Sequence, residues 1–266
     1  MFIERTTPRP NVVQLTLNRP ERLNALTWSL VKQLHEQLDA LAEDRQCRAV
    51  ILTGAGRGFC AGLDLDGFGA VDGTADMGRI QQHWEIQRSL AALTQKMRRL
   101  PQPVIAAVNG PAAGGGLALV CASDVRIASS AAVFATAFIR VGVTGCDMGT
   151  SWLLPRLVGA GRAHELMMTG RRFVADEALA MGLLADVVAP EELGARVDAM
   201  VDSLVMAPPM SLALTKQGMW AALEIPSYDA MVELENRQQI LTMLTEDAAE
   251  AKASHREGRP PQYRQH

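Results

Sequence analysis

The stretch PVIAAVNGPAAGGGLALVCASDVRIAS, residues 103–129, decides the fold class. Val104 to Val108 is a short continuous apolar run, the pattern of a buried strand. Asn109-Gly110-Pro111 turns the chain. Gly114-Gly115-Gly116 then leads into the apolar helix LALVCAS, and Val125 to Ala128 forms a further short strand. From Leu100 to Ser123 no residue is charged, so the run is long enough to span a bilayer. Pro101, Pro103, Pro111 and the glycines break any continuous helix, which leaves strand, turn and helix start.

The same alternation holds on the N-terminal side. Val12 to Leu17 reads as a strand ended by Asn18-Arg19-Pro20. Thr27 is placed to cap a helix whose apolar face is Leu30, Val31, Leu34, Leu38 and Leu41. Ala49 to Thr53 reads as a buried strand, and a polar helix is predicted over Asp76 to Arg99. After residue 147 helical signals dominate, at 149–158, 161–169, 176–182, 191–206, 210–223 and 228–244. Strands alternating with helices predict an α/β fold with mainly parallel pairing. No Gly- or Ser-rich linker divides the chain. The expected organisation is an α/β core over 1–195 and a helical C-terminal region over 196–266. The polar tail from Asp247 to His266 is expected on the surface or against a neighbouring subunit.

The 266 residues carry 26 basic and 29 acidic side chains, a net charge of −3. That balance leaves no electrostatic footprint for nucleic acid or an anionic membrane. An apolar content of 48% supports a real core. Cys47, Cys60, Cys121 and Cys146 form no C-x-x-C pair, so neither a disulfide scaffold nor a zinc site is indicated, and no other metal-ligand spacing is present. MFIERTTPRP lacks the apolar run of a signal peptide. A soluble protein of the reducing cytoplasm is expected.

Two glycine-rich elements each follow a predicted buried strand: Gly58 to Leu65, GFCAGLDL, and Asn109 to Gly116, NGPAAGGG. Each alone reads as an ordinary tight turn. Side by side on adjacent parallel strands, they can aim two backbone N–H groups at one oxygen, aided by the positive end of the following helix. Neither is a dinucleotide fingerprint, a phosphate-binding P-loop or a serine-hydrolase elbow.

LTLNRPERLNAL (15–26), AVILTGAGRGFCAGLDL (49–65), residues 103–129, LPRLVGAGRAHELMMTGRRFVADEALAMGLLADVV (154–188) and DAAEAKASHREGRPPQY (247–263) occur in order. Together they resemble the enoyl-CoA hydratase/isomerase family, the crotonase superfamily, over nearly the whole chain. The resemblance implies a spiral of ββα repeats and a helical C-terminal region that forms homotrimers or hexamers. It implies an acyl-CoA substrate, with coenzyme A part of the substrate and no separate cofactor. It carries an oxyanion hole onto the N–H groups of Leu63 and Gly115, and CoA contacts onto Arg22, Ala61 and Leu65. Asp64 is expected to act as a local loop or cap residue.

Family hydratases carry two glutamates, which fall here on Ala118 and Phe138 in the acyl pocket. Neither side chain can move a proton. Asp147, in GVTGCDMGT (142–150), resembles the aspartate of dienoyl-CoA isomerases and aryl-CoA dehalogenases. It either supplies the acid or caps the following helix. The dehalogenases' histidine falls at about Ala91, which speaks against dehalogenation. His83 reads as a helix-surface or core residue, or else as one bordering the acyl pocket. The expected activity is that of a lyase or isomerase acting through a thioester enolate. Single-acid isomerisation is favoured; a hydratase with altered acid/base groups and a non-catalytic acyl-CoA binder are the alternatives.

Overall fold

The computed structural model describes residues 1–264; Gln265 and His266, the end of the expected polar tail, lie outside the described residues. β1 (Ile3–Arg9) and β2 (Val12–Leu17) form an antiparallel hairpin. Asn11 turns it at φ +64°, a conformation asparagine tolerates better than most residues. Helix α1 (Trp28–Glu43) starts where Thr27 accepts a hydrogen bond from Leu30 N at 3.4 Å. It buries Leu30, Val31, Leu34, Leu38 and Leu41, the face its spacing predicts. β3 (Ala49–Gly54), α2 (Arg79–Arg99), β4 (Val104–Val108), β5 (Ala112–Ala113), α3 (Gly115–Ala122), β6 (Val125–Ser129) and β7 (Val133–Ala135) follow. The chain continues through α4 (Thr150–Val158), α5 (Ala160–Thr169), β8 (Arg172–Val174), α6 (Ala175–Ala180) and β9 (Asp186–Val188). It closes with α7 (Leu193–Val205), α8 (Pro209–Ala222), α9 (Tyr228–Met243) and α10 (Glu246–Glu257).

The main sheet has the order β1-β2-β3-β4-β6-β9 and is parallel from β2 onward. Alternation along the strands divides its two faces. Val104, Ala106 and Val108 of β4 join the large core with the α1 leucines, Leu93 and α3. Ile105 and Ala107 join Val12, Ala49, Ile51 and Ile127 beneath Leu193, Val197 and Val201 of α7. The residue 195/196 boundary expected from sequence falls inside α7, whose apolar face covers this second side of the sheet. β5, β7 and β8 make a small second sheet.

The polar helix begins at Arg79, three residues after the expected start. The tail holds a helix of its own, α10, capped by Thr245 through Ala248 N at 3.1 Å. Among the described residues, no single helix is long and apolar enough to cross a membrane.

Candidate active site

β3 and β4 lie side by side and parallel, so their C-terminal glycine loops emerge together. The loops are then bonded to one another. Phe59 N and Cys60 N both donate to Pro111 O at 3.1 Å, and Ala113 N donates to Cys60 O at 2.9 Å. Two asparagines fill the turns. Asn109 donates to the carbonyls of Gly54 and Gly56, and Asn24 to those of Ala55 and Gly58, at 2.8–3.0 Å. Contact is close enough to demand glycine. A Cβ on Gly116 would stand 2.1 Å from Cys60 O. Gly62 sits at φ +91°, and a Cβ there would stand 2.7 Å from Ala113 O.

Two N–H groups are left over at this junction. Leu26 N donates to Gly62 O at 2.7 Å and Asp64 N to Leu26 O at 3.0 Å. The N–H of Leu63 lies between these bonds and, among the described residues, donates to no protein group. Gly115 is the first residue of α3, so its N–H has no partner within the helix. The two are neighbours in space: the Cβ direction of Gly62 ends 3.3 Å from Gly115 N. The N-terminal end of α3 adds partial positive charge at the same point.

Apolar side chains wall this point. Leu26 Cδ1 and Met148 Sδ would lie 2.8 and 3.1 Å from a Cβ on Gly115, and Phe138 Cε1 lies 3.5 Å from the Cβ direction of Gly114. Phe138 opens a short 3-10 turn and is mostly buried. Ala118, one turn along α3 from Gly115, is fully buried.

Asp147 reaches the same wall through its neighbour Met148. Its Oδ1 accepts from Met148 N at 2.6 Å and from Gln87 Nε2. α4 starts instead at Gly149, at φ +78°, with no side-chain cap. The capping role considered for Asp147 is therefore not the one its carboxylate plays; only its main-chain carbonyl meets the helix, through Thr150 N at 2.8 Å. Helix α2 also holds the loop backbone, with Thr94 Oγ1 donating to Met148 O at 3.1 Å. Gln87 and Thr94 are seven residues apart and share a face of α2. Sequence reasoning missed Gln87, because its partner is 60 residues away.

At the outer end of the first loop, Arg22 uses one terminal nitrogen, Nη2, for Asp66 and, at 3.4 Å, for Asp64. Its Nε and Nη1 form no bond among the described residues. Asp64 is nearly buried and accepts from Arg19 and from Asp66 N at 3.0 Å. The Arg19 hydrogen bond holds its carboxyl below the usual range. Asp64 thus anchors its own loop. Ala61 is half-buried, bonded through its N–H to Leu23 O at 2.9 Å, and Leu65 is exposed. His83 lies on the outside of α2, bonded to Arg79 O at 2.7 Å. Burial pushes the Cys60 and Cys121 thiols up to about 12, so neither is an activated nucleophile.

A parallel sheet with paired glycine loops at its strand ends and a helical C-terminal region is the architecture of a crotonase-fold protein. The model for the family "Enoyl-CoA hydratase/isomerase" matches residues 8–266. A Mycobacterium tuberculosis protein named "Probable enoyl-CoA hydratase EchA12" is 40% identical over 255 residues, 96% of this chain and 90% of the relative. The 1,2-epoxyphenylacetyl-CoA isomerase of Escherichia coli is 38% identical over 255 residues, 95% of this chain and 94% of the relative. The crystal structure of a probable enoyl-CoA hydratase/isomerase from Mycobacterium abscessus superposes with a TM-score of 0.93 at 36% identity, covering 100% of this chain and 99% of that one. The chain belongs to the enoyl-CoA hydratase/isomerase family of the crotonase superfamily.

Proposed function

We propose that the protein isomerises an unsaturated acyl-CoA thioester through an enolate, using the N–H groups of Leu63 and Gly115 as the oxyanion hole and Asp147 as a single acid/base. The named relatives, a probable enoyl-CoA hydratase and a 1,2-epoxyphenylacetyl-CoA isomerase, support a CoA thioester as substrate. The observation that carries the reading is the pair of unused N–H groups beside a wall whose ionisable member is Asp147. An enolate oxygen is a developing anion, and each preorganised donor contributes about 2.7–4 kcal/mol to its stabilisation. Ala118 and Phe138 stand where the family resemblance places the hydratase glutamates, and neither side chain offers a carboxylate to hold an attacking water. Asp147 removes a proton from C2 of a 3-enoyl thioester, the oxyanion hole holds the enolate, and the carboxyl returns the proton to C4. No cofactor enters this cycle.

Ala61 and Leu65 offer backbone to the adenine end of CoA, and the free nitrogens of Arg22 face its phosphates. We also propose a homotrimer or hexamer. α9 has no buried residue and leaves Tyr228, Ile240, Leu241 and Met243 exposed, as is Leu244 just beyond its end.

The test is turnover in heavy water of a 2-enoyl-CoA and a 3-enoyl-CoA. The expected result is very slow hydration of the first, with isomerisation and deuterium incorporation in the second. Asp147→Asn is expected to suppress that activity by about 10²–10⁴-fold. Rapid hydration that survives Asp147→Asn would overturn the single-acid reading. Absence of exchange with every thioester would favour a non-catalytic binder.

A further inference from the structure

We infer that Gln87 is a positioning residue that fixes which oxygen of Asp147 meets the substrate. The inference rests on the acid/base reading of Asp147. Both hydrogen bonds to the Asp147 carboxylate, from Gln87 Nε2 and from Met148 N, end on Oδ1. Oδ2 accepts none among the described residues and is the oxygen left for a proton. Met148 N alone lets the carboxylate turn about its terminal bond, because that donor belongs to the adjacent residue. A second donor from another element fixes the plane. α2 can supply it because Thr94, two turns along the same face, ties the Met148 carbonyl to the same helix. Loop backbone and carboxylate are thus referenced to one rigid element.

Gln87 is also chemically suited to the task. Its amide N–H donates to the carboxylate without bringing a charge of its own to the site. The elements that flank the Asp147 loop carry several titratable and charged groups. On α2, His83, one turn before Gln87, bonds to Arg79 O at 2.7 Å, and Glu85 and Arg88 pair with each other at 3.2 Å. α3 carries only the buried Cys121. On α4, Arg156 stacks on Trp152 with its guanidinium carbon 3.9 Å from the ring centre. The Phe138–Val141 turn contributes Arg140, and the loop itself Cys146. α5, whose Met167 packs near Gly145, contributes Arg162, His164 and Glu165, the last paired with Arg171 at 2.6 Å. Among the described residues no ion pair to Asp147 forms, and Gln87 is the side chain that bonds its carboxylate.

The experiment is steady-state 3-enoyl-CoA isomerisation by the full-length protein, with kcat and KM read separately, for wild type, Gln87→Leu, Gln87→Glu and Gln87→Lys. Gln87→Leu removes the donor to Asp147 Oδ1 and is expected to lower kcat about 10-fold with KM unchanged. Gln87→Glu puts acceptor oxygens against Oδ1 and is expected to lower kcat further, whereas Gln87→Lys restores a donor and is expected to recover part of the loss. A structural role alone would not rank kcat by whether residue 87 donates. Wild-type kcat in all three variants, with Asp147→Asn inactive, would overturn the role of Gln87 and leave Asp147 standing. Full activity in Asp147→Asn would overturn both.

Discussion

Replacing Gly116 by alanine tests whether the spacing of the two glycine loops is what builds the site. The added Cβ would stand 2.1 Å from Cys60 O and 2.8 Å from Cys60 Cβ. A carbon and a carbonyl oxygen settle at about 3.3 Å, so the loops must part by roughly 1 Å. Cys60 O cannot swing aside, because it is backbone and already accepts from Ala113 N. The movement therefore reaches Leu63 N on one loop and Gly115 N on the other. A displacement of about 1 Å costs on the order of 10²-fold in rate. Overpacking at a buried contact costs about 1–3 kcal/mol of stability. The assay is kcat/KM for 3-enoyl-CoA isomerisation, with denaturant unfolding in parallel. Gly161→Ala in α5 is the control, since no atom lies within 4 Å of its Cβ position, and it should leave both quantities near wild type. Wild-type rate and stability in Gly116→Ala would refute the claim that loop contact sets the hole.

Lys216 is buried on α8, paired with Asp124 at 2.7 Å and donating to the carbonyls of Met97 and Gln102 at 2.9 Å. Lys216→Met should cost about 3 kcal/mol, the lower end for a broken buried pair, because Asp124 keeps bonds from Val104 N and Trp220 Nε1. A loss below about 1 kcal/mol in denaturant unfolding would show that the lysine does not hold α8 to the sheet. At the C-terminus, Arg259 and then Gln262 N pull the Glu250 carboxyl down to about 2. A folded-state value below the unfolded one gives a contribution present above about pH 4.5 and lost as pH falls towards 2. Hydrogen exchange of the 258–264 amides should rise across that window, and Glu250→Gln should raise it at neutral pH. Unchanged exchange in Glu250→Gln would contradict that anchor.

Local patterns carried much of this protein. The apolar runs of β2, β3 and β4 and the leucine spacing of α1 are set by burial on a period of two or 3.6. Glycines at the ends of β3 and β4 were legible because few other residues allow such close backbone approach. Three-residue strands were not legible. β7, β8 and β9 have too few residues to show a period, and form because neighbouring backbone offers bonds. β1 hid behind Glu4, Arg5 and Thr6, which an edge strand leaves exposed. α10 hid for a similar reason: its composition is polar, and it buries only Asp247 and Ser254.

The sequence by itself determined the family, the strand–glycine–helix units and the identity of Asp147 as the candidate acid. Tertiary structure decided what that aspartate touches. Asp147 was equally compatible with capping α4, because a cap is a local event and the residue type suits it. Only the packing of α2 across the loop put Gln87 and Thr94 against Asp147 and Met148. Contacts between residues about 60 positions apart depend on how helices dock, which no local period encodes.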